Sequence, residues 1–323
     1  MDTEERYERT FATGDHSELT LKNVRGSVCI VGWDRPEVSV VAIKRLGTYM
    51  GAQQAYEETT VAMDQQGQAV TVRTRMARGF NPFAWLGLGT TPPEVEYSVQ
   101  VPRKSEVAVR SVGGPIQISD LQGSVYARSV NGDIYLTRLT GSAIVHGVNG
   151  RISAQEVSGH LGARTVDSSI TVRQSRLSTL SAKTVSGNIS LESPLDPQGS
   201  YSAHTISGSI HLFLPADAAA TIQFTSTSGK VQCDLPCQVS ESRRGLWRAL
   251  LNGGGVSVDL HSVSGDLLVA LAGPEEPPSA AGEPTVTPQP APEAPEMAVL
   301  RAVERGDLTV EEALKQLDDL LGQ

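Results

Sequence analysis

The sequence is poor in aromatic residues and in cysteine. Phe, Trp and Tyr account for 5% of its 323 residues, and the only thiols are those of Cys29, Cys233 and Cys237. Three cysteines cannot form a disulfide framework, and Cys233 and Cys237 alone fall short of the four ligands of a structural zinc site. With few aromatic rings and 31 glycines, we expect layers of Val, Ile and Leu in place of an ordinary globular core.

Long apolar runs and export signals are absent as well. No segment approaches the ~20 apolar residues of a membrane-spanning helix. The opening residues, Met1–Arg6, are mostly charged and lack the apolar stretch of a secretory signal peptide. We therefore expect a cytoplasmic protein that can also associate peripherally with a membrane.

Motifs of several enzyme classes are also missing. The sequence has no GxxxxGK[ST] phosphate-binding loop and no HExxH metalloprotease motif. Parallel β-helix enzymes that cleave acidic polysaccharides need clustered carboxylates or basic groups in a groove, whereas the acidic residues here are dispersed. We expect no catalytic residues, metal, cofactor, small-molecule substrate or specific nucleic-acid partner. A β-helix enzyme acting on acidic polysaccharide is the less favoured alternative.

A glycine-marked phrase, V-x-G-x-I or a close variant, returns every nine residues, and such a fixed period is the signature of a repeat fold. It begins at Val112, Leu121, Val130, Leu139, Val148, Val157 and Val166. Alternate copies differ, because those of the Val112 type follow a small residue and carry Ile at position five. The intervening copies follow a charged residue and carry Val, Ala or Leu there. The true period is therefore eighteen residues.

Each eighteen-residue unit predicts one coil of a parallel β-solenoid with two short strands. Positions five and seven of the phrase, such as Ile134 and Leu136, are two residues apart and should both point inward. Glycine at position three would let the chain turn a corner with positive φ. Looser copies from Val185 onward continue the series with longer loops. Residues one period apart should lie on neighbouring coils, about 4.8 Å apart.

The predicted fold class is all-β, a single-stack parallel solenoid with additions at both ends. Residues 1–13 are interpreted as a polar leader, 14–111 as an N-terminal β cap with a short helix near 49–59, and 112–272 as the repeats. Residues 273–295, rich in Pro and Glu, predict a disordered linker. Residues 296–323 predict a small α-helical hairpin that docks to a protein partner or makes a homo-oligomer. Its apolar faces include Leu300, Val303, Leu314 and Leu317.

Two residues before each Val-type phrase stands a basic residue, and strand alternation turns these positions outward in one column. The column comprises Arg110, Arg128, His146, Arg164, Lys183 and His204, with His261 in the last copy. Like charges stacked so closely repel, so side-chain splay, counterions or an anionic partner must offset them. The column predicts either independent surface residues or a stripe that binds a polyanion or anionic headgroups. Its histidines would strengthen such binding as the pH falls toward about 6.

Two apolar segments are candidates for contact with a membrane or a protein partner. The first holds Phe80, Phe83, Trp85 and Leu86, and the second mixes basic and apolar residues around Trp247 in the manner of an interfacial segment. The alternative is that both segments fold onto the flank of the solenoid and cover its apolar surface.

Several phrases resemble those of the bacterial putative-adhesin family, a domain of unknown function with β-solenoid repeats. These are Val130–Ile134, Val263–Leu267, the opening Gly26–Asp34 and Tyr97–Pro102. The segment from Val299 to Ala313 is similar to the SHOCT-like helical hairpin often attached to such proteins. The resemblance implies a non-enzymatic scaffold or binding protein, linked in some relatives to envelope stress, and it assigns no catalytic residue. A surface-exposed adhesin module, exported by a non-standard route, is the alternative function.

Overall fold

The computed structural model describes residues 4–47, 52–76, 92–243 and 245–272. Together these residues form twenty-three β-strands and one short helix. The strands before the regular repeats are β1 (Glu4–Ala12), β2 (Glu18–Lys22), β3 (Val28–Trp33), β4 (Glu37–Arg45), β5 (Thr59–Gln66), β6 (Ala69–Met76) and β7 (Glu94–Pro102), with α1 (Ala52–Glu58) between β4 and β5. The strands of the regular repeats are β8 (Glu106–Gly113), β9 (Ile116–Leu121), β10 (Ser124–Asn131), β11 (Ile134–His146), β12 (Ile152–Arg164), β13 (Ile170–Arg173) and β14 (Arg176–Lys183). The remaining strands are β15 (Ile189–Glu192), β16 (Ser200–Thr205), β17 (Ile210–Leu214), β18 (Ala220–Ser226), β19 (Val231–Cys233), β20 (Cys237–Arg243), β21 (Leu246–Leu251), β22 (Val256–Ser262) and β23 (Leu267–Leu271).

The predicted parallel β-solenoid is confirmed. In the centre of the chain, strands on successive coils pair in parallel with an offset of eighteen residues, as in Val125 with Ala143 and Ile134 with Ile152. Beyond Gly159 a register shift lengthens the offset, which becomes nineteen between Ile170 and Ile189. The linker at 273–295 and the hairpin with Leu300, Val303, Leu314 and Leu317 lie outside the described residues.

Each coil contributes one strand to each of two faces. Face 1 includes β2, β8, β10, β14 and β16, and face 2 includes β3, β9, β13, β15 and β17. Strands β11 and β12 run through the corner and serve both faces. At this corner four stacked residues adopt left-handed φ angles between 48° and 62°, namely Asp120, Arg138, Glu156 and Gln174. The side chain of Arg138 bridges to Asp120 with an Nε–Oδ1 distance of 2.7 Å.

The predicted reason for the repeat glycines, a turn with positive φ, applies to only some of them. Gly132 and Gly150 do not adopt positive φ, although Gly114, Gly141 and Gly159 do. A Cβ atom at Gly150 would instead overlap the backbone carbonyl of Gly132 on the preceding coil, and one at Gly132 would overlap that of Gly114. Glycine is therefore required where the backbones of successive coils approach each other too closely for any side chain.

Layers of aliphatic side chains fill the space between the two faces. Positions five and seven of the phrase point inward as predicted, and Ile134 and Leu136 are both buried. Position one divides by repeat type, because Leu139 is buried in an intervening copy whereas Val112 is 46% exposed. The small residue before each exposed Val explains this difference. This small residue is buried and takes the inward place, and in several copies its hydroxyl donates to a carbonyl of the adjacent coil, as Thr205 Oγ1 does to Gly187 at 3.0 Å.

The N-terminal segment is more than a cap on the repeats. Strands β2 and β3 form a regular coil directly beside β8 and β9, and β6 and β7 form a further coil outside them. Strand β1 occupies the region interpreted as a polar leader and pairs antiparallel with β4 along its whole length. Its outward positions are polar, but Phe11 is buried in the core. The helix predicted near 49–59 is present as α1.

At the C-terminal end, the order of coils along the stack departs from the order in the sequence. The last coil, β22 and β23, lies between the coil of β16 and β17 and the coil of β18 and β19. The later copies therefore do not simply continue the series as predicted. Strand β21 then pairs antiparallel with β18, and β20 pairs antiparallel with β21.

Candidate anionic-ligand interface

The predicted basic column exists as a continuous row on face 1, which we call the basic ladder. Backbone pairing places its members on successive coils in strict register. From the N-terminal end of the stack they are Arg73, Lys22, Arg110, Arg128, His146, Arg164, Lys183, His204 and His261. Eight steps of about 4.8 Å give the row a length of about 38 Å. Thr225 follows His261 and ends it.

The ladder side chains point away from the core. Each follows a buried inward residue, as Arg110 follows Val109 and Arg128 follows Ala127. Arg110, Arg128 and Arg164 are exposed, whereas His146 and His204 are half-buried. Among the ion pairs formed by the described residues, none involves a member of the ladder. Its positive charges are therefore left without carboxylate partners at the surface.

Two histidines of the ladder have lowered pKa values. Burial, followed by the adjacent charges of Arg164 and Arg128, lowers the pKa of His146 below its usual value. Burial, Lys183 and His261 likewise lower the pKa of His204, although Asp259 acts in the opposite direction. A bound anion would favour the protonated form of both rings, so ligand binding and proton uptake are coupled.

Tyr126 lies on face 1 against two members of the ladder. Its ring centroid is 5.8 Å from that of His146, and the guanidinium carbon of Arg110 lies 5.8 Å from the same ring. Ile144 pairs with Tyr126 on the next coil and is 47% exposed. Tyr126 and Ile144, two residues before Arg128 and His146 in their strands, thus give the basic ladder apolar neighbours.

A second row runs parallel to the basic ladder, two residues further along each coil. We call it the apolar ladder, and it was not predicted as a surface feature. It comprises Val24, Val112, Val130, Val148, Val166, Val185, Ile206 and Val263. Backbone hydrogen bonds link its successive members, for example from Val166 N to the carbonyl of Val148 and from Ile206 N to that of Val185. Five of the eight are among the exposed large apolar side chains, up to 48% at Ile206.

Sequence reasoning missed two members of the basic ladder. Lys22 could have been found, because Val24–Val28 repeats the V-x-G-x-I phrase and Lys22 stands two residues before it. Arg73 carries no such signal. No repeat phrase follows it, and only the parallel pairing of β6 with β2 brings it beside Lys22.

The second predicted apolar segment is part of the folded body and not a loop. Trp247 lies in β21, where it pairs with Phe224 of β18 and packs, partly buried, against the core. The first segment, with Phe80, Phe83, Trp85 and Leu86, lies outside the described residues. Within the part of the chain that the structure covers, no helix has the length and apolar character required to cross a bilayer.

The chain has detectable similarity to several solved structures. A putative cell adhesion protein from Clostridium sporogenes aligns with 84% of this chain and 100% of its own, at 9% identity and a TM-score of 0.27. A putative lipid binding protein from Parabacteroides distasonis aligns with 81% and 96% of the two chains, at 10% identity and a TM-score of 0.37. A putative adhesin from the same species aligns with 83% and 97%, at 11% identity and a TM-score of 0.35.

No curated protein sequence matches the chain. The family model described as Toastrack DUF4097 matches residues 47–270. This match spans more than half of the chain and includes most of the solenoid, so the protein belongs to the Toastrack DUF4097 family.

Proposed function

We propose that this protein is a non-catalytic binding module whose basic ladder holds an anionic partner along face 1. One observation carries the proposal: nine basic side chains stand in register on successive coils without a carboxylate partner. Stacked like charges cost free energy, and an anionic partner would recover it.

One member of the ladder argues against simple duplication as its origin. A repeat would copy a basic residue from coil to coil whatever its use, and Lys22 and His261 stand before repeat phrases as the central members do. Arg73, in contrast, joins the ladder from a strand without the repeat phrase. A basic residue is thus present at one position where the repeat does not supply it.

The test measures retention on immobilised heparin as a function of salt. The double variant Arg128→Glu, Arg164→Glu reverses two charges in the centre of the ladder. The matched control, Arg173→Glu with Arg176→Glu, changes the net charge equally but lies off the ladder. We expect the ladder variant to elute at clearly lower salt than the wild type, and the control to elute close to the wild type. Equal elution of the two variants would reject the proposal.

A further inference from the structure

We infer that the anionic partner is the surface of a lipid bilayer, which the basic and apolar ladders contact together along one corner of the solenoid. This inference rests on the proposed function, since it names the partner of the same site. A bilayer would also contact the apolar ladder, which a soluble polyanion would leave exposed to water.

The geometry of the corner combines both surface types at short range. In β8 and β10 the basic and apolar positions are alternate outward residues of one strand, as in Arg110 and Val112, about 6.6 Å apart. The inward residue between them, such as Ser111, keeps both neighbours facing solvent. The same arrangement recurs coil after coil, so a row of charge and a row of aliphatic methyl groups run side by side along the stack.

A soluble polyanion would neutralise the charges but leave the apolar ladder in water. Exposed β-branched side chains in a continuous row are unfavourable there. An anionic bilayer satisfies both rows, because its headgroups pair with Arg and Lys while apolar side chains reach below the headgroup level. Ile144 and Tyr126 extend the apolar contact to the other side of the basic ladder.

The central coils carry no opposing charge on this face. The strand segments 124–128, 142–146, 160–164, 179–183 and 200–204 contain no Asp or Glu. The acidic residues of face 1 lie toward its ends, where Glu18 and Glu106 precede Lys22 and Arg110 by four residues and Asp259 precedes His261 by two. Repulsion between acidic side chains of face 1 and anionic headgroups is therefore smallest along these central coils.

The experiment uses the full chain with two ligands, immobilised heparin and sedimented vesicles of phosphatidylcholine with about 30 mol% phosphatidylglycerol. The test variant is Val185→Thr with Ile206→Thr, since Thr keeps the β-branched shape and strand preference but not the apolar surface. The matched control is Val239→Thr with Leu271→Thr, which removes apolar groups that are at least as exposed but are not part of the apolar ladder. Circular dichroism establishes that each variant is folded, and Val112→Thr with Val166→Thr replaces the test variant if it is not.

We expect the vesicle partitioning of the test variant to fall about fivefold or more, and its heparin retention to stay at the wild-type level. The control variant should keep the vesicle partitioning of the wild type. Vesicle partitioning equal to the wild type would overturn the inference. A lower oligomer mass for the test variant than for the wild type on gel filtration would also overturn it, since a second copy of the chain would then cover the apolar ladder in the wild type. If the inference is overturned while the Arg128→Glu, Arg164→Glu variant still elutes from heparin at lower salt than its control, only the bilayer assignment fails. If that variant elutes at the same salt as Arg173→Glu with Arg176→Glu, the proposed function fails as well.

Discussion

The centre of the solenoid and its two ends differ in how the order of coils along the stack relates to their order in the sequence. From β8 to β14 each coil follows the previous one in sequence, and every pairing is parallel. At each end the outermost coil is an internal segment of the chain, and the coil nearer the chain terminus lies inside it. Antiparallel strands β5 and β4 at one end, and β21 and β20 at the other, then cover the stack.

The difference follows from the exposed edges of a parallel stack. A central coil has partners above and below, whereas a terminal coil would leave one row of backbone groups unpaired and open to aggregation. By placing β22 and β23 between two other coils, the chain gives its last repeat partners on both sides. The basic ladder nevertheless stays in register from Arg73 in the outermost N-terminal coil to His261 in the inserted C-terminal coil, although the order of the coils along the stack differs from their order in the sequence.

The largest effect is expected from removing the inserted coil at the C-terminal end. A chain ending at Gly255 lacks β22 and β23, so β16 and β18 lose the strand that joins them. We expect residues 200–251 to lose most of their hydrogen-exchange protection, while the central coils retain theirs. A chain ending at Ala272, which keeps this coil, is the control. Full protection of 200–251 in the shorter chain would contradict the locking role of the inserted coil.

A smaller but still severe effect is expected from the glycines at close backbone contacts. Gly150→Ala forces a Cβ against the carbonyl of Gly132 and should lower the free energy of unfolding by about 2–4 kcal/mol. Gly265→Ala at the inverted end meets Gly208 in the same way, so it should be comparably destabilising. Urea denaturation measures both.

Gly162 provides the control for these substitutions. It lies in β12 without positive φ, and a Cβ there would meet nothing closer than 4.0 Å. Gly162→Ala should therefore be neutral or stabilise by up to about 1 kcal/mol. If Gly162→Ala and Gly150→Ala destabilise equally, close approach of the coils is not the reason for the glycine column.

The smallest effect concerns pH and involves His146 in the centre of the ladder and His204 near its end. Both pKa values are lowered in the folded protein, so the unfolded chain binds protons first as the pH falls below about 6.5. The free energy of unfolding should thus decrease from pH 7.5 to pH 5.5, while heparin retention increases as the rings become charged. His146→Gln and His204→Gln should each remove part of the stability change, because each removes one of the two groups whose pKa is lowered.

His160→Gln serves as the control for this pH dependence. His160 is on the same face but outside the ladder, four residues before Arg164. Denaturation at the two pH values should give the wild-type difference for this variant. A stability change with pH that persists in both His146→Gln and His204→Gln would assign it to other groups.

The repeat could be recognised in the sequence because its period spans only eighteen neighbouring residues. Ile134 and Leu136 could be placed in the core, and Arg110 to His204 in one column, from spacing alone. The inverted ends could not be predicted, because the phrase at Val263 has the same form whichever coil it joins. The apolar ladder could not be predicted from the sequence either. Val112 and Leu121 occupy the same position of the nine-residue phrase, yet one is exposed and the other is buried.

The sequence by itself determined the kind of coil, its period and the outward direction of the basic residues, since these depend on alternation and spacing over a few neighbours. Only the tertiary structure decided which coils are adjacent, and therefore that Arg73 and Lys22 continue the row of Arg110. It also decided that the Val-type positions lie outside the core, because the preceding residue takes the inward place at that corner. Adjacency and corner geometry depend on backbone hydrogen bonds between distant segments, and no local pattern specifies those bonds.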